Sequence, residues 1–261
     1  MPEFSGQAGT YHYELKGEGP ALFLVPGLLS DNASWGPIAE ALAPRFTLVL
    51  PDPLGAGRTW SHAPFGAKAM ATDFLALADE LRLGPLRIVG HSFGGRVALE
   101  MARAAPDRMA RVLALATGPE PSARSVSVFR TLLALRTADH SADVWLRALY
   151  PWLFSDGFFA QDGAVEAAIA ASLAYPHAQS AANMAFQIDG YAQTGSAPAV
   201  PEGIDMRVLL AGGDALVPAD GAARGWQARG ARVDTLPGAG HALHWDQPDA
   251  VVRWIATALG S

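Results

Sequence analysis

The chain has 261 residues, 50% hydrophobic and 17% charged, which excludes a disordered or collagen-like polymer. Nineteen basic against 25 acidic residues give a net charge of −6, without the basic footprint of a nucleic-acid binder. Cysteine is absent, so disulfides, thiolate metal sites and cysteine nucleophiles are excluded.

Met1 to Pro20 shows no basic stretch followed by an apolar one, so no signal peptide is expected. Short apolar runs predict strands at Thr10–Leu15, Ala21–Val25, Phe46–Leu50, Leu86–Val89 and Val112–Leu115. Between them, helical periodicity covers Ser34–Leu42, Ala67–Leu81 and Gly94–Ala105. Late in the chain come strands at Met206–Ala211 and Arg232–Leu236, with helices at Ala219–Arg229 and Pro248–Leu259. This alternation predicts an α/β fold with a mostly parallel sheet, and the continuously apolar runs fit strands covered on both faces. Such runs are far too short to span a bilayer, so no membrane segment is expected and a cytoplasmic location is the default.

The segment 119–200 breaks the rhythm. It reads as helices at Val126–Thr137, Ala142–Leu149, Gly163–Leu173 and Gln179–Tyr191, with no strand. It is expected to form a helical cap over a core built from residues 1–118 and 201–261. Ten of the 23 aromatic residues lie between Phe129 and Tyr191. Trp152, Phe154, Phe158 and His177 are therefore pocket candidates between cap and core, although aromatic side chains also serve as plain core.

The run Leu86-Arg-Ile-Val-Gly-His-Ser-Phe-Gly-Gly passes from an apolar strand into a helical pattern. Within it Gly90-His91-Ser92-Phe93-Gly94 matches G-x-S-x-G, in which a serine sits on a sharp strand-to-helix turn that bulky neighbours would obstruct. A serine nucleophile needs a base, and the base needs an orienting acid. His241 lies in a glycine-rich loop after the last predicted strand, and Asp214 directly follows the strand before it. Both positions are just past strand C-termini, where open α/β sheets place their sites.

Five segments together carry a resemblance: Pro26-Gly-Leu-Leu…Trp35, Pro51-Asp-Pro-Leu-Gly-Ala-Gly-Arg, Gly-His-Ser-Phe-Gly-Gly, Gly-Gly-Asp…Val-Pro and Gly-Ala-Gly-His. In this order they resemble the α/β-hydrolase superfamily, in its small form with a helical cap. The order Ser92…Asp214…His241 is that of its catalytic triad. The resemblance implies that the backbone N–H groups of Leu28 and Phe93 form the oxyanion hole. It further implies a cofactor-free serine hydrolase acting on a small ester, lactone or related acyl substrate, with no metal. The chain has Pro26-Gly27 where most relatives carry His-Gly, which alters the loop but keeps its N–H donors. The serine excludes sister chemistries that need an aspartate at its position. Carbon–carbon bond hydrolases, cofactor-free haloperoxidases and triad-retaining small-molecule sensors stay open, and so does the oligomeric state.

Rival readings are few. His244 lies three residues after His241, but no third metal ligand accompanies the pair. His91 reads as a packing or hydrogen-bonding residue of the turn. Asp220 and Asp246 read as helix-entry residues rather than as the orienting acid. Neither Gly55-Ala-Gly57 nor Gly212-Gly213 has a phosphate-cradle pattern, so no nucleotide is implied.

Overall fold

The computed structural model describes residues 2–260. The chain opens with β1 (Glu3–Ser5), β2 (Thr10–Lys16) and β3 (Ala21–Val25), then a 3-10 turn at Asn32–Trp35 and α1 (Gly36–Leu42). Next come β4 (Thr47–Pro51), α2 (Ala67–Glu80), β5 (Leu86–His91), α3 (Phe93–Ala104) and β6 (Met109–Leu115). Five helices follow without a strand: α4 (Ala123–Thr137), α5 (Val144–Leu153), α6 (Asp156–Phe159), α7 (Ala164–Ala174) and α8 (Ala181–Gln193). The chain closes with β7 (Met206–Ala211), α9 (Ala219–Gln227), β8 (Arg232–Leu236), α10 (Leu243–Asp246) and α11 (Pro248–Leu259).

Among the described residues, eight strands form one sheet in the order β1-β2-β4-β3-β5-β6-β7-β8. From β4 to β8 all neighbours are parallel, and β2 runs antiparallel to both β1 and β4. Every residue of β3 is buried, because helices cover both faces of the sheet. Phe23 and Val25 join the core on one face, with Phe74 of α2 and Val97 of α3. Leu22 and Leu24 join the core on the other, with Ile38 of α1 and Ile255 of α11. The period of two along the strand thus feeds both layers.

The helices between β6 and β7 have a third cluster of their own, including Phe129, Leu149, Tyr150, Met184 and Ile188, joined by Leu216 from the β7–α9 loop. Ser122 caps α4 by accepting from the Ser125 N–H, and Ser180 caps α8 by accepting from the Asn183 N–H.

Differences from expectation are local. β1 escaped prediction because three residues show no period. The expected helix Ser34–Leu42 starts in a 3-10 turn because Pro37 confines α1 to begin at Gly36. The short helices α6 and α10 carry too few residues for a periodic signal. Asp220 stands in the first turn of α9 while Pro218 holds the cap position. Among the described residues, no helix is long and apolar enough to cross a membrane.

Candidate active site

Ser92 lies between the last residue of β5 and the first of α3, with φ 52° and ψ −119°. A non-glycine residue held there is strained, and such strain is typical of a nucleophile presented on a tight turn. The flanking glycines make the turn possible. A Cβ on Gly90 would come within 2.2 Å of the Gly94 carbonyl oxygen, and one on Gly94 within 2.1 Å of the Val25 carbonyl oxygen. The turn is locked by the Ser92 N–H donating to the Leu115 carbonyl at 2.8 Å. The Thr117 hydroxyl donates to the Ser92 carbonyl at 3.0 Å.

His241 brings its Nε2 to 2.9 Å from Ser92 Oγ, and its Nδ1 to 2.7 Å from Asp214 Oδ2. The other carboxylate oxygen of Asp214 accepts from the N–H groups of Leu216 and Val217, both at 2.8 Å. A carboxylate acceptor beside Nδ1 assigns the proton to that nitrogen and leaves the Nε2 lone pair facing the serine hydroxyl. Asp214 and His241 are both buried.

The loop carrying His241 is braced from the helical segment. The Ala242 N–H donates to the Leu153 carbonyl at 2.8 Å. Asp246 Oδ2 accepts from the Gly240 N–H at 2.7 Å and from the Ser155 N–H at 3.0 Å. Asp246 thus joins the His241 loop to the α5–α6 junction, a role that its position at a helix entry did not reveal.

Two further histidines sit behind His241. His91 Nε2 donates to the His241 carbonyl at 2.9 Å. The His244 ring packs between His91, 4.6 Å between centroids, and Trp35, 5.0 Å between centroids. Burial first, and then the neighbouring His241, lower the His244 pKa from 6.5 to about 3. His91 is lowered well below its ordinary value, by burial and then by His244 and His241. Both rings are therefore neutral at pH 7.

Leu28 and Phe93 border the serine. The loop Pro26–Leu29 presses against the turn so closely that a Cβ on Gly27 would stand 2.9 Å from Ser92 Cβ. Phe93 opens α3, where the first N–H groups have no partner within the helix. Ser92 and His241 open into a cavity of about 100 Å³. Its apolar walls include Leu28, Leu29, Phe129, Leu149 and Phe154. Its polar residues are Ser30, Ser34, His91 and His244 besides the serine and its histidine, and none of the described lining residues is an acid, lysine or arginine.

Of the four aromatic and histidine pocket candidates, Phe154 lines this cavity and the other three stand elsewhere. Trp152 lies under the Arg124 guanidinium, 5.2 Å from its ring centroid. Phe158 is stacked behind Phe154 at 4.2 Å. His177 packs edge-on against Tyr175, whose hydroxyl donates to Asp31 at 2.7 Å. Helix rotation decides which aromatic faces inward, and composition does not encode it. Sequence reasoning also missed the place of His244 beside the cavity, and its only local signal was its nearness to His241.

The alpha/beta hydrolase family model matches residues 22–254. The chain is 33% identical over 149 residues to RutD of Agrobacterium fabrum, a proposed carbamate hydrolase, covering 54% of this chain and 57% of that protein. It spans between about a third and three fifths of the length of the curated relatives it matches. In fold it is similar to a thermophilic esterase from Thermogutta terrifontis, with a TM-score of 0.83, 23% identity, and 99% and 97% of the two chains covered. It is likewise similar to the enol-lactonase from Burkholderia xenovorans, with a TM-score of 0.85, 21% identity and both chains covered in full. With a family model that runs from β3 into α11 and takes in Ser92, Asp214 and His241, the chain belongs to the alpha/beta hydrolase family.

Proposed function

We propose that the chain is a serine hydrolase that cleaves a short, uncharged carboxylic ester or related acyl compound through an acyl-enzyme. One observation carries this reading: Ser92, His241 and Asp214 form a continuous hydrogen-bonded series whose serine and histidine line a small, largely apolar cavity.

Ser92 Oγ attacks the substrate carbonyl while His241 Nε2 takes its proton. Asp214 holds His241 in the required tautomer and stabilises the imidazolium. The N–H groups of Leu28 and Phe93 stabilise the oxyanion of the tetrahedral intermediate without reorganising. His241 then returns the proton to the leaving alcohol, and water cleaves the acyl-enzyme by the same route in reverse. The helical segment 119–200 acts as the cap that encloses the acyl group.

Cavity size and lining support the substrate class. A cavity of about 150 Å³ takes up benzene, so one of about 100 Å³ suits an acyl group of about four non-hydrogen atoms. An anionic acyl group would lose its hydration among these walls without a cationic partner.

The test is a time course with 4-nitrophenyl butyrate, wild type against Ser92→Ala. Sustained turnover that falls by several orders of magnitude in the variant supports the enzyme. A single burst equal to the enzyme concentration, then silence, favours a sensor that is acylated and not released. Failure of a fluorophosphonate to label Ser92, with no turnover, overturns the serine reading.

A further inference from the structure

The helical segment docks on the core through a row of side-chain amides. Asn183 and Gln187 stand four residues apart on one face of α8, and Gln179 lies in the extended segment just before the helix. Each bonds to backbone of the core. Gln179 Nε2 donates to the Gly55 carbonyl, and Asn183 Oδ1 accepts from the Ser61 N–H at 3.0 Å. Gln187 makes two bonds: Nε2 donates to the Leu54 carbonyl at 3.0 Å, and Oε1 accepts from the Leu29 N–H at 2.9 Å. Gln187 is only 2% exposed.

The second bond of Gln187 reaches the loop beside Ser92. Leu29 has φ 60°, a conformation that side-chain-bearing residues rarely adopt without external support. Its N–H belongs to the peptide plane next to the one that carries the Leu28 N–H. Fixing one plane restricts rotation of the other. Gly27, one residue earlier, is already wedged against Ser92 and His91. The loop is therefore held from the serine side by close approach and from the helical side by one amide.

We propose, resting on the serine-hydrolase reading above, that Gln187 is a positioning residue that aims the Leu28 N–H at the oxyanion. On this account α8 is a fixed wall of the site, and its docking completes the oxyanion hole. A group aimed at developing charge acts on the transition state more than on the bound substrate.

Gln187→Leu removes both bonds at similar volume, and Gln187→Glu keeps an acceptor for Leu29 while losing the donor to Leu54. Asn183→Leu breaks docking four residues away without touching the oxyanion loop. With 4-nitrophenyl butyrate, Gln187→Leu is expected to lower kcat by roughly 10- to 100-fold, with KM changed less than about threefold. Affinity for a short trifluoromethyl ketone, whose adduct on serine is a tetrahedral oxyanion, should fall by the same factor as kcat/KM. Gln187→Glu should retain more of both than Gln187→Leu, and Gln187→Met, which removes both bonds with an unbranched side chain, serves as the test if Gln187→Leu does not fold. Asn183→Leu should keep the wild-type ketone affinity. Unchanged kcat in Gln187→Leu overturns the role, as does equal loss of ketone affinity in Asn183→Leu. Where Gln187→Leu does not fold, unchanged kcat and ketone affinity in Gln187→Met overturn the role. Wild-type enzyme that neither turns over the ester nor takes a fluorophosphonate on Ser92 overturns the underlying reading, and this role with it.

Discussion

His91 Nε2 lies 2.9 Å from the backbone carbonyl of His241, so the residue before Ser92 holds the main chain of the histidine that bonds to it. The carbonyl only accepts, so His91 carries its proton on Nε2. His91→Ala should let the His241 backbone drift and lower kcat by about 10- to 100-fold, since small misplacements of reacting groups are costly. His91→Gln, which retains a donor, should recover part of the loss. Steady-state kinetics of the two variants on 4-nitrophenyl butyrate check this.

The buried neutral histidines make the fold sensitive to acid. The folded-state pKa of His244, about 3, is below its unfolded value of 6.5, so the unfolded chain binds the proton more readily. Stability is unaffected above pH 6.5 and is lost as pH falls from there towards 3. His91 acts in the same direction. His244→Phe keeps an aromatic ring between Trp35 and His91 but cannot titrate. Between pH 7 and 5 the wild type should lose about 2 kcal/mol more than this variant, read from urea unfolding at the two values. Equal losses would remove His244 from the account.

Acyl length should report the cavity. Wild-type kcat/KM on 4-nitrophenyl esters should hold from acetate to butyrate and drop at least roughly tenfold at octanoate, where the chain no longer fits. Phe154 and Leu149 form part of the wall. Phe154→Ala should move the optimum towards longer chains. An unchanged length profile in that variant would place the acyl group elsewhere.

Close backbone approach sets the tolerance of the turn that carries Ser92. Gly94→Ala puts a methyl 2.1 Å from the Val25 carbonyl oxygen and 2.6 Å from that of Pro26, neither of which has room to move. It should destabilise by about 3 kcal/mol or more. Gly221→Ala, in α9 with nothing within 4 Å of the new methyl, should stabilise by about 0.5–1 kcal/mol. Chemical denaturation of both variants separates a steric cause from a general intolerance of alanine.

Local chemistry explains which features were legible in the chain alone. Strand–helix alternation set the α/β layering, because apolar runs covered on both faces leave a pattern that needs no partner to be read. The strained serine turn was visible because it demands glycine at fixed offsets. Asp214 and His241 were visible because sites of open sheets follow strand ends. These three residues, far apart in sequence, are the ones that share one hydrogen-bonded series.

Only the tertiary structure decided what surrounds that series. Phe154 faces the cavity and Phe158 stands behind it, a difference that depends on how α5 and α6 rotate as they pack. His244 lies against His91 because α10 folds back under the 3-10 turn that carries Trp35. Gln187 meets Leu29 across 158 positions of sequence, and a glutamine on a helix gives no sign of the backbone it will bond. Period, turn chemistry and strand ends are local properties that the sequence alone determines. Cavity shape and long-range amide bonds arise only when separate helices settle against the same sheet.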